Sequence, residues 1–129
     1  MDNISNPYRY GNYVHIKGDT DEMITVKVIE IDGYFITGRD GEGNLYKRMI
    51  YTQVQGIPLT DTIFLKTKFE KISKSYSWFI EVNDRIFELQ TYPGKPGLYY
   101  QDINHELKYV HQLQNLFICL TETELEINI

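Results

Sequence analysis

Four lysines, Lys66, Lys68, Lys71 and Lys74, crowd into nine residues and are followed by Tyr76 and Trp78. Ammonium groups suit phosphate and aromatic rings suit stacking, so this stretch has the residue types that a nucleotide or another small anionic ligand would need. The same pattern describes the solvated face of a helix followed by a core Trp. Both readings stand at the level of sequence.

The remaining reactive residues are poorly spaced for chemistry. His15, His105 and His111 match no zinc pattern, and Cys119 has no partner thiol, so no metal is expected and the histidines read as surface or capping groups. The turn Gly18-Asp19-Thr20-Asp21-Glu22 resembles part of a calcium loop but lacks its central glycine and its distal bidentate Glu. No Gly-x-Ser-x-Gly elbow surrounds Ser5, Ser73, Ser75 or Ser77. Gly94-Lys95-Pro96-Gly97 lacks P-loop spacing, and proline removes a backbone donor that would cradle phosphate. Glu81 and Glu88 flank one hairpin and could approach each other, but they read as solvent-facing carboxylates. These observations lead to the expectation of a non-catalytic binding protein without a cofactor.

Bulk properties narrow the partners. A net charge of −5, from 13 Lys plus Arg against 18 Asp plus Glu, disfavours sequence-specific nucleic-acid binding, which leaves a basic footprint, although a local patch is compatible with it. Eleven tyrosines suit half-buried strands and would also suit a contact surface for a protein partner or for self-association. The single cysteine, in the apolar run 116–120, reads as a buried, reduced thiol. The start of the chain has no basic segment leading into an apolar one, and no apolar run is long enough for a bilayer. A soluble cytoplasmic protein with no membrane contact is expected.

The elements that must position these groups follow from periodicity. A length of 129 residues suits one domain, with subdomains at 8–56 and 57–129. Strands are expected at 10–17, 23–31, 34–38 and 44–51, with Asp32-Gly33 and 40–43 as turns. Such a meander would curl into an SH3-like small barrel or half-barrel. Thr60 should cap a helix running to Lys68 or Lys71, with Leu65, Phe69 and Ile72 on its buried face. A hairpin of 76–82 and 85–92 follows, then a loop at 93–97 and a strand at 98–103, with 108–110 extending the sheet. A helix over 111–120 should bury Val110, Leu113, Leu116, Phe117 and Leu120, and 125–129 should form a last strand. The class is α+β.

The C-terminal string Tyr109-Val110-His111-Gln112-Leu113-Gln114-Asn115-Leu116-Phe117, followed by Leu120-Thr121-Glu122-x-Glu124-Leu125, resembles a signature of small uncharacterised proteins common in Bacteroidota genomes and their phages and prophages. Gly11-Asn12-Tyr13-Val14 and Ile57-Pro58-Leu59-Thr60 fit the same group. Members often carry glycine where this chain has Glu122 or Thr123, and another where it has Lys68. The resemblance implies a compact accessory protein of phage or mobile-element type. Two functions follow as expectations: protein contact or self-association, or the binding and sequestering of a nucleotide signal used in host defence.

Overall fold

A computed structural model describes residues 6–72, 77–101 and 105–129. The fold is α+β, with two antiparallel five-stranded sheets. The chain divides after Ile57 into two compact units, each holding one sheet.

The first unit is built by alternation. Its strands are β1 (Tyr13–Lys17), β2 (Met23–Asp32), β3 (Phe35–Asp40), β4 (Leu45–Ile50) and β5 (Gln55–Gly56), in the order β4-β3-β2-β1-β5. Val14, Ile16, Val26, Val28 and Ile36 point to one face and form a core with Tyr8 and Val54. The sheet is open, with β4 and β5 at its edges, and does not close into a barrel. Two register slips, between Val28 and Glu30 and between Ile36 and Gly38, accentuate its twist. Gly38 lies under Val26, and a Cβ there would come within 2.9 Å of the valine methyl.

Turn chemistry sets the register. The β2–β3 hairpin turns on Gly33-Tyr34, one residue later than expected, with Gly33 at a φ of 59°. In the next turn the Asp40 carboxylate accepts from the Glu42 and Asn44 amides at 2.9 Å, and also from the Asn44 side chain and the Tyr46 hydroxyl. Tyr8 shows how the tyrosines are used: its ring is in the core while its hydroxyl donates to the Val54 carbonyl at 3.1 Å.

The second unit is α1 (Asp61–Phe64), β6 (Glu70–Lys71), β7 (Trp78–Val82), β8 (Arg85–Tyr92), β9 (Lys95–Tyr99), β10 (Glu106–Leu107) and α2 (Val110–Thr121), with sheet order β10-β9-β8-β7-β6. Thr60 caps α1 as expected, accepting from the Ile63 amide. The helix nevertheless stops at Phe64 instead of reaching Lys68. The Thr67 hydroxyl donates to the Phe64 carbonyl at 2.7 Å and accepts from the Phe69 amide, offering the backbone a local alternative to the helix. Phe69 is thereby turned into the core, while Leu65 is exposed and Ile72 lies at the surface.

The core of this unit is aromatic. Phe64 stacks on Trp78 at 4.7 Å, and Phe69, Phe87 and Phe117 meet one another at angled contacts of 5.4–6.3 Å. Helix α2 buries Val110, Leu113 and Phe117, but Leu120 is exposed, and so is Cys119, which was expected inside. One helix buries one stripe, and the run 116–120 wraps around more than one. Gln114, expected on the wet face, is buried. The tail carries the expected alternation, with Leu125 and Ile127 buried, but forms no ladder. A hydrogen bond from the Asn128 amide to the Lys66 carbonyl anchors it. The expected loop at 93–97 narrows to a Pro93-Gly94 turn, and β9 begins at Lys95. Pro96 is tolerated because β10 pairs only with Leu98 and Tyr99.

Candidate functional site

Among the described residues, two lysines of the stretch engage carboxylates. Lys68 pairs with Glu126 at 3.5 Å, and Lys71 pairs with Asp61 at 3.6 Å. Trp78 is 4% exposed with Phe64 stacked against it, so its ring belongs to the core, although Lys71 lies 5.7 Å from its centroid. Lys66 is exposed. Lys74 and Tyr76 lie outside the described residues.

The titratable groups with catalytic potential have structural employment. His111 is buried, contrary to the surface role expected, and stacks on Tyr109 at 5.7 Å. Burial pulls its pKa down to about 4, so it is neutral at pH 7. Burial also lowers the pKa of His15. The Glu22 carboxylate accepts from the Thr20 hydroxyl and amide inside the acidic turn, and the Thr20 side chain holds its pKa down. Hydrogen bonds led by the Asn44 side chain likewise lower Asp40. Glu81 and Glu88 face Ile86 and Phe79 across the β7–β8 ladder and are diagonal neighbours. Among the described residues, no group of three or more His, Cys, Asp or Glu side chains is placed to hold a metal ion.

Two surfaces have the character of binding sites. One is a groove of about 480 Å³ in the second unit, where Ile86, Phe87, Tyr100 and Leu120 line an apolar wall and Arg85 and Glu122 stand at the rim. Ile86 is 67% exposed and Leu120 is 47% exposed. Phe87 stacks on Tyr100 at 5.0 Å and is buried, whereas Tyr100 is half-exposed. A smaller hollow of about 350 Å³ is rimmed by Glu70, Glu81, Glu124, Glu126 and Lys68.

The other surface is the outward face of the first sheet, opposite the core. Tyr13, Lys27, Arg39 and Leu45 lie in one row across β1, β2, β3 and β4, each directly opposite the next. Lys17 is opposite Met23 and His15 is opposite Thr25 on the same face. Arg48 reaches over the Phe35 ring at 4.3 Å and pairs with Asp32 at 3.2 Å. Lys27 lies 5.7 Å from the Tyr13 ring centroid. These cations are far apart in sequence, so no linear cluster announces them. Only the strand register unites them.

The segments 11–14, 57–60 and 109–117 sit at structural joints. Gly11 takes a φ of 87° and the buried Asn12 accepts from the Arg9 amide at 2.7 Å, which fixes the entry to β1. Pro58 bridges to Tyr109, and the Gln112 side chain accepts from the Lys108 and Tyr109 amides at the start of α2. Glu122 closes α2 in the left-handed conformation at a φ of 58°. Comparison of the chain with protein-family models, with curated proteins and with solved structures finds no match. Among the described residues, no helix is long and apolar enough to cross a membrane.

Proposed function

We propose that this chain is a non-catalytic accessory protein of phage or mobile-element type that acts through contact with a protein partner, a second copy of itself included. The observation that carries this reading is the apolar wall of the second unit's groove, where Ile86 and Leu120 are left in water beside the Tyr100 ring. Burying such side chains is worth about 1.5–3 kcal/mol each, which is the energy a docking partner would recover. The phage-type context rests on the resemblance of residues 109–117. Light scattering across a concentration series, repeated with Leu120→Asp, tests the contact. Self-association that the variant abolishes supports it. A wild-type monomer at every concentration, together with capture of no protein that Leu120→Asp fails to capture, sinks it.

A second reading, the binding of a nucleotide signal, draws on the same groove more than on the lysines, because its volume falls in the range of small-molecule sites. Ligand at 100 times its dissociation constant would add about 2.7 kcal/mol of stability. A thermal-shift series with mono-, di- and cyclic nucleotides should therefore raise the melting temperature, and no shift with any of them rejects the reading.

A further inference from the structure

We propose that the outward face of the first sheet binds single-stranded nucleic acid without sequence preference, with Lys17, Lys27, Arg39 and Arg48 on the phosphates and Tyr13 and Phe35 against the bases. This surface belongs to the first unit and is independent of the protein contact proposed for the second.

The first argument is charge. The chain as a whole carries −5, yet this face presents those four cations against two carboxylates, Glu30 and Asp32, and Asp32 is tied to Arg48. The other acidic residues near the strands are gathered at their ends, in the turns holding Asp19, Asp21 and Glu22 and those holding Asp40 and Glu42. Lys27 and Arg39 adjoin in one row across the strands, while Lys17 ends β1 beside the acidic turn, so a polyanion is drawn to the Lys27–Arg39 row.

The second argument is the pairing of cation with ring. Tyr13, Lys27 and Arg39 stand in consecutive strands and span about 10 Å along the row, given the usual strand spacing. Lys27 over Tyr13 and Arg48 over Phe35 are cation–ring pairs, with Arg48 exposed and the other three half-buried. When a phosphate draws the cation aside, the ring face becomes a stacking platform. The Thr25 and Thr37 hydroxyls and the exposed Gln55 amide add donors to the same face. An acidic protein surface would satisfy the cations but leave the rings unused, and a duplex keeps its base faces stacked away from them. A single strand uses both. Contacts to backbone and ring faces carry no base code, so sequence preference is absent.

The test is fluorescence anisotropy of a short labelled oligothymidylate titrated with the full chain over a salt series. Four phosphate contacts to a single strand give a slope of log affinity against log salt of about −3. Lys27→Gln combined with Arg39→Gln keeps the strand pattern and should halve that slope, to about −1.5, with affinity at low salt falling at least tenfold. Tyr13→Leu should weaken binding roughly tenfold while leaving the slope unchanged, because it removes stacking and no charge. Circular dichroism identifies any variant that fails to fold, and Phe35→Leu then replaces Tyr13→Leu as the ring test. No binding by the wild-type chain at low salt overturns the proposal. Equal competition by polyglutamate, with neither ring variant having an effect, overturns it in favour of an acidic protein partner. Neither result bears on the Leu120 contact, which light scattering reads separately.

Discussion

The two units solve the problem of covering a five-stranded sheet differently. The first buries a face of Val and Ile side chains and leaves the opposite face polar and charged. The second lays α2, the α1 segment and the tail into an aromatic cluster, with Phe117 from the helix seated against Phe69 and Phe87. The first unit is built mainly of hairpins and turn side chains, closed by the β1–β5 pairing and the Tyr8–Val54 hydrogen bond. The second depends on residues far apart in sequence. In the first unit, change should be felt mainly at the turns and on the charged face, and in the second at the aromatic junction.

The largest expected effect is at that junction. Phe117→Ala removes a ring that touches both Phe69 and Phe87 and should cost about 3–5 kcal/mol in a urea denaturation. A loss under about 1 kcal/mol would show that the helix is not seated as described.

Next is acid sensitivity, to which His111 of the second unit should contribute most. Folded His111 stays neutral down to about pH 4, whereas an unfolded histidine takes up its proton near 6.5. Between those values the unfolded state binds the extra proton, so stability falls as pH falls, by about 3 kcal/mol over the window. A His111→Leu variant should lose that slope, read as denaturation midpoint against pH. In the first unit the depressed Asp40 works in a lower window. Its contribution is present above the unfolded value of 3.8 and disappears as pH drops through the folded value. His15, lowered in the same direction as His111, adds to the upper window.

The smallest effect contrasts the turns. The first unit's β2–β3 hairpin has Gly33 at its positive φ, whereas the β7–β8 hairpin places Asn83 and Asp84 at φ values of 52° and 63°. Asp84→Gly restores the Asn-Gly pair that such a turn favours and should raise stability by about 0.5–1 kcal/mol. The same denaturation experiment checks it, and an unchanged midpoint would show that Asp84 carries no strain.

How much was legible in the sequence follows the same division. The alternation of Ile24, Val26 and Val28 and the Gly33 turn are local facts, and they place the meander almost residue by residue. The length of α1 was not legible, because Thr67 competes for the backbone through side-chain bonds that periodicity does not weigh. The exposure of Cys119 and Leu120 and the burial of His111 and Gln114 depend on which stripe of α2 meets the sheet. For the candidate sites, adjacency in sequence drew attention to Lys66 through Trp78, where the structure shows ion pairs and a core ring. Register instead joined Tyr13, Lys27 and Arg39 from three strands. The groove joins Ile86 on β8 to Leu120 on α2, which β9 and β10 separate in sequence.

The position of Cys119 has a practical side. The chain has one thiol, and it is solvent-facing in the last turns of α2, next to Leu120. A maleimide dye attached there would label every molecule at a single defined point beside the groove. The protein thus carries its own reporter position, and occupation of the groove could be followed by emission without any engineered residue.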